Sequence, residues 1–109
     1  MARLVTEFWV QAYLMRLQGL DIPAFIVAKG DTTAGAVLVK CNTLDGRATA
    51  HQRSFDPVTG ARQWMVLAEG EERDVDESIA RQRGFDPDLW VIEVEDRAGR
   101  HLLGDEGLD

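Results

Sequence analysis

Five side chains in the middle of the chain could do chemistry together: Lys40, Arg47, Thr49, His51 and Arg53. The last three fall at every second position. On an extended strand alternate side chains share a face and stand about 7 Å apart, so Thr49, His51 and Arg53 can touch one small anion. Arginine offers a planar donor fork that suits carboxylate or phosphate. Imidazole can also move a proton near neutral pH. The set supports a small-anion-binding domain or a small enzyme centred on His51. A structural reading stands beside it: a solvent-facing strand is normally polar, and its cations can pair with Glu93 and Glu95.

Other chemistry is thinly represented. No Ser-His-acid arrangement carries the sharp strand-to-helix turn that marks a nucleophile. The two histidines and single cysteine show no tight metal-ligand spacing. Cys41 sits in an apolar run and reads as an inert core thiol. Glu93 and Glu95 alternate as a solvated strand face does, and His101 reads as a cross-strand partner of an acid. The segment from Lys29 to Gly35 lacks the glycines and the following Lys-Ser/Thr of a phosphate-binding loop, and reads as a connection. No catalytic residue and no cofactor is assigned.

Charge is divided unevenly. Residues 1–68 carry seven Lys/Arg and five Asp/Glu, a net of +2; residues 69–109 carry five and fourteen, a net of −9, which recovers the overall −7. Nucleic-acid binding draws on Lys/Arg that displace phosphate counterions, and anionic membranes attract the same residues. The acidic balance argues against both partners. It also suggests that Glu93 or Glu95 lies near Arg47, Arg53, Arg62 or Arg100.

A chain of 109 residues fits one domain. Residues 1–18 read as a helix, stopped by Gly19 in a left-handed conformation. Its polar stripe is Glu7, Gln11 and Gln18; Phe8, Trp9, Ala12, Tyr13 and Leu17 fill much of the rest. Because it is apolar around most of its circumference, Val10, Leu14 or Met15 are available for self-association or another protein. The apolar stretch is broken by Gln11 and Arg16, unlike a signal peptide or a membrane span, so the chain is expected in the cytoplasm.

Strands follow at 22–28, 36–43, 47–55 and 62–68, the last three as a meander. Asp45-Gly46 reads as a two-residue hairpin turn. That turn pairs Lys40 with His51 and Asn42 with Thr49. Val37, Val39, Cys41, Ala48 and Ala50 then share a core face with Trp64 and Val66, and the five candidate site residues share the opposite one. A second helix spans 71–83, with Asp74 and Glu77 spaced as a capping box and Phe85 folding back beyond Gly84. A strand at 89–95 places Trp90, Ile92 and Val94 on one face, and a return strand runs over 100–103. Residues 104–109 form a frayed acidic tail. The expected fold is α+β, in the order α-β-β-β-β-α-β-β. It has a mostly antiparallel sheet built on a central meander, with both helices on the core face.

Several segments carry a resemblance: Glu7 to Leu14, Gly35 to Lys40 and, most specifically, Gly84 to Asp96 (Gly-Phe-Asp-Pro-Asp-Leu-Trp-Val-Ile-Glu-Val-Glu-Asp). The chain resembles domain-of-unknown-function family 1491, short bacterial proteins found chiefly in alphaproteobacteria. The resemblance covers nearly the whole chain and implies a cytoplasmic bacterial protein of this size. It transfers no activity and no catalytic residue. The chain therefore reads as a non-catalytic binding or protein-interaction domain, with the His51 ligand site as the alternative.

Overall fold

The computed structural model describes residues 5–55, 57–60 and 62–104. The first helical residues expected at 1–4, the turn position 56 and the tail at 105–109 lie outside them. The elements run α1 (Thr6–Gly19), β1 (Ala24–Ala28), β2 (Val37–Asn42), β3 (Arg47–Phe55), β4 (Arg62–Glu71), α2 (Glu72–Phe85) and β5 (Trp90–Glu95). The α+β class and the order through the seventh element follow the sequence reading.

The strands form one sheet in the order β1-β5-β2-β3-β4. Its β1–β5, β2–β3 and β3–β4 pairings are antiparallel, while β2 and β5 are parallel. The sheet is mixed because β5 runs the same way as β4, and parallel strands need a crossover, which α2 supplies. The meander β2-β3-β4 is present, with β4 at the sheet edge. The return strand expected at 100–103 is absent: Leu102 takes a left-handed φ of 59°, which breaks an extended run.

Both faces of the sheet are covered. Trp9, Val10, Tyr13, Leu14 and Leu17 of α1 pack on Val37, Val39, Trp90, Ile92 and Val94. Val75 and Ile79 of α2 pack on Leu38, Ala48, Ala50 and Val91. The expectation of both helices on one face is thus corrected. Its cause is a single residue of register. The pairs are Lys40 with Ala50, Cys41 with Thr49 and Asn42 with Ala48. The hairpin loop holds three residues, Leu44, Asp45 and Gly46, with Leu44 at φ 62° and Gly46 at φ 86°. Asp45 Oδ1 accepts from the Thr43 hydroxyl (2.6 Å) and the Arg47 N–H (3.1 Å), and Asn42 Oδ1 accepts from the Leu44 N–H (2.8 Å). A one-residue slip inverts every side chain of a strand. Ala48 and Ala50 therefore face α2, while Thr49, His51 and Arg53 share the face of Val37 and Val39.

The helices begin on loop carbonyls rather than on side-chain caps. Thr6 N–H and Glu7 N–H donate to Thr33 O (3.2 Å) and Thr32 O (2.9 Å), and Glu72 N–H donates to Gly46 O (2.9 Å). The capping box expected at Asp74 and Glu77 is not used, since the cap falls three residues earlier, at Glu71. Phe85 stays 83% exposed and does not fold back. The Schellman motif stands instead at the end of α1: Ile22 N–H donates to Leu17 O and Asp21 N–H to Gln18 O, each at 3.0 Å. Asp21, at φ 58°, takes the left-handed position expected of Gly19. Asp21→Gly is expected to stabilise the fold by about 1 kcal/mol, by relieving the left-handed Cβ and removing an anion from the negative helix end. Urea denaturation checks this; an unchanged or lower midpoint contradicts it.

Candidate functional site

The register divides the candidate set. Lys40 lies on the α2 face. Its ammonium donates to Glu72 (2.7 Å) and meets Asp76 (2.8 Å) and Glu93 (3.3 Å), while Asn42 Nδ2 donates to Glu72 (3.1 Å) and Glu93 (3.2 Å). Burial acts to lower the Lys40 pKa; the bonds to Asp76 and Glu72, with the Glu93 charge, outweigh it and hold the pKa above the ordinary lysine range. This cluster ties α2 to the sheet. It also partly neutralises the two halves of the chain against each other, through Lys40 where arginines were expected. Arg100 takes Asp96 at 2.9 Å within the segment that follows β5.

The other four candidates share the opposite face. Arg47 is exposed at the hairpin, across from Glu71. The Thr49 hydroxyl donates to Glu69 at 3.4 Å. His51, half-buried, stands opposite Val39 on β2 and Val66 on β4. Arg53 lies over two indole rings, 5.0 Å from the Trp9 centroid and 5.7 Å from that of Trp64. A β-bulge near Leu67 resets the β3–β4 register, so that Trp64 and Val66 join the face of His51 and Arg53. Trp64 then meets Trp9, at 5.6 Å between centroids. The expectation that Trp64 and Val66 cover the alanines is corrected by the same register.

His51 opens onto a cleft of about 490 Å³, lined by His51, Gln63, Trp64, Val66, His101 and Leu103, with Gly104 at φ 83° completing the wall. His101 approaches from the segment after β5, and its ring centroid is 4.5 Å from that of His51. Two contacts seat that segment. The Tyr13 hydroxyl of α1 donates to His101 O (2.7 Å), and Leu103 N–H donates to His101 Nδ1 (3.1 Å). Leu102 and Leu103 pack against the α1-face core. An Nδ1 that accepts a hydrogen bond leaves the neutral ring's proton on Nε2. Burial depresses the His51 pKa, contact with His101 depresses it further, and Glu69 opposes the shift.

Of the expected five, His51 lines this cleft, and Arg53 stands against the Trp64 ring. The sequence reading missed His101, Gln63 and Trp64 as site residues. One signal was available: both histidines of a histidine-poor chain meet here. The pair is poorly disposed to a metal, because protonated Nε2 of His101 cannot ligate while Nδ1 is engaged. Among the described residues, no three His, Cys, Asp or Glu side chains converge as a metal-binding group. Cys41 is buried, and burial raises its thiol pKa, as expected of an inert core thiol. Among the described residues, no helix is long and apolar enough to cross a membrane.

Residues 4–104 match the model of a family described as a protein of unknown function, DUF1491. The chain belongs to the DUF1491 family. The crystal structure of a DUF1491 family protein from Caulobacter crescentus is 38% identical, with 94% of this chain and 96% of that one covered and a TM-score of 0.86. An NMR structure of a DUF1491 family protein from the same organism is also 38% identical, covering 95% and 96% with a TM-score of 0.83. The solution structure of protein Atu0922 from A. tumefaciens is 28% identical, covering 94% and 93% with a TM-score of 0.77. Both organisms are alphaproteobacteria, as the resemblance implied. No curated protein matches the chain. DUF1491 membership fixes the fold and the bacterial family, and brings no activity with it.

Proposed function

We propose that this chain is a non-catalytic binding domain of the bacterial cytoplasm, with the cleft between β3, β4 and the post-β5 segment as its ligand site. One observation carries the reading. His51 and His101, far apart in sequence, converge to 4.5 Å at a concavity whose wall includes a half-buried indole. Concave, largely apolar sites with a few convergent polar groups are the usual form of small-ligand sites. Among the described residues, the lining has no carboxylate, hydroxyl or thiol to serve as nucleophile or companion acid, which favours binding over catalysis.

The competing surface is the exposed side of α1, where Phe8, Ala12 and Met15 recur at helical spacing and Phe8 and Met15 are 65% and 70% exposed. Val10 and Leu14, which the sequence offered to a partner, are buried in the chain's own core. A fragment screen followed by amide NMR shifts separates the two surfaces. Hits are expected to move Gln63, Trp64, His101 and Leu103, and Trp64→Ala is expected to weaken them at least tenfold, the loss of about 1.4 kcal/mol of indole contact. Shifts confined to Phe8, Ala12 and Met15 would move the binding function to the helix and overturn the cleft reading.

A further inference from the structure

Resting on the cleft reading, we infer that its ligand is a planar anion, an aromatic carboxylate in simplest form. It lies along the Trp64 indole, with its charge at the His51–His101 pair, and binds with uptake of one proton.

The charge distribution points this way. The protein carries a net charge of −7, yet among the described residues the cleft lining holds no carboxylate. Its polar side-chain groups are two imidazoles, the Gln63 amide and the Trp64 indole N–H, all able to donate. The Arg53 guanidinium stands 5.7 Å from the Trp64 ring centroid, a fixed positive charge beside that wall. The indole and the side chains of Val66 and Leu103 suit a flat, partly apolar body. At about 490 Å³ the cleft falls within the range of small-ligand sites.

The proton follows from an asymmetry between the imidazoles. His101 Nδ1 accepts the Leu103 N–H, so protonating it would break a bond that holds the segment in place. Its Nε2–H is already a donor. The added proton therefore goes to His51. The charged group that bears on His51 is Glu69 from β4, with Arg53 two positions along its own strand. Tyr13 of α1 and Cys41 of β2 stay neutral, because burial raises both, and His101 completes the set. With the cleft empty, half-burial and the facing ring keep His51 uncharged at neutral pH. An anion placed between the rings reverses that balance, since an opposite charge within a few ångströms favours the imidazolium. The sign is fixed by linkage: a ligand that raises the proton affinity of His51 binds more tightly as pH falls.

Benzoate and benzamide have the same planar body and differ in charge, and benzoate stays ionised across the range that matters. Titrating the full chain with each, read by the His51 and His101 ring signals and the Trp64 indole N–H, is expected to show benzoate gaining about tenfold in affinity from pH ~7.5 to ~5.5. Benzamide should bind weakly and without pH dependence. Calorimetry in two buffers of different ionisation heat should count up to one proton taken up with benzoate by the unaltered protein. His51→Gln should abolish both the pH dependence and the proton uptake of benzoate binding. If benzoate and benzamide bind the cleft alike with no proton uptake, the anion inference is overturned and the cleft reading stands. If neither ligand at millimolar concentration moves the Trp64, His51 or His101 signals, this inference falls, and a screen without cleft hits removes the reading beneath it.

Discussion

Lys40→Met should lower the stability of the fold by about 3 kcal/mol at neutral pH, the lower end of what removing one partner from a buried ion cluster costs. Methionine keeps the length and apolar stem of lysine, so packing on the α2 face is largely retained and the loss isolates the charge. Three carboxylates then face one another with no cation among them. Asp76 is half exposed and Glu72 borders solvent, so both can turn outward and hydrate. Glu93 sits on the interior strand β5 with its side chain 13% exposed, and cannot. The penalty therefore concentrates on Glu93, and adding Glu93→Gln to Lys40→Met should restore about half of the loss, a coupling well above the error of a double-mutant cycle.

The same cluster has a signed pH dependence. A lysine whose folded pKa is raised contributes stability that is complete below its unfolded value of about 10.4, and that fades as pH climbs from there towards the folded value. Urea denaturation of the two proteins should give a constant gap from neutral pH up to about pH 10 that narrows above it. A gap that does not change on the alkaline side would mean that the ammonium is not what holds α2 to the sheet.

Where one residue type dominated a pattern, the sequence was a sufficient guide. Trp90, Ile92 and Val94 separate from Val91 as β5 alternation requires, and α1 buries the stripe that includes Trp9, Tyr13 and Leu17. The hairpin register was not legible. Asp45-Gly46 satisfies a two-residue turn on composition alone, and nothing local reveals that Asp45 bonds both Thr43 and Arg47 to hold a three-residue loop. That one residue moved Ala48 and Ala50 to the other face, gave α2 a surface to cover, and took Lys40 away from His51. The charge division was real, but sequence totals do not say which cation meets which anion. His101 was illegible for a different reason. Its partner is 50 positions earlier, and its place depends on the left-handed turn at Leu102, which carries no glycine signal.

Gly30→Ala is expected to destabilise the protein by about 3 kcal/mol, at the upper end of overpacking costs. The reason is proximity, not backbone freedom. A Cβ at position 30 would stand 2.0 Å from Asp88 O, 2.7 Å from Asp88 C and 2.7 Å from Trp90 Cδ1. Two of those atoms are backbone, and the third belongs to a fully buried indole whose Nε1–H donates to Asp31 O at 2.7 Å. Asp31 N–H in turn donates to Asp88 O (3.0 Å), so the β1–β2 connection and the entry to β5 are bonded where the methyl would go. Moving the connection outward strains α1, because Thr6 donates through its hydroxyl to Gly35 O (2.8 Å) and through its N–H to Thr33 O. Glycine at 19 is the internal control: an added Cβ there meets nothing within 4 Å, and its place in the last turn of α1 gives Gly19→Ala an expected gain of about 0.5–1 kcal/mol. Chemical denaturation of both variants should therefore move the midpoint in opposite directions. A Gly30→Ala protein as stable as the parent would mean that β1–β2 and β5 do not close on each other as described. The Trp90–Asp31 bond would then be the next contact to test, by Trp90→Phe.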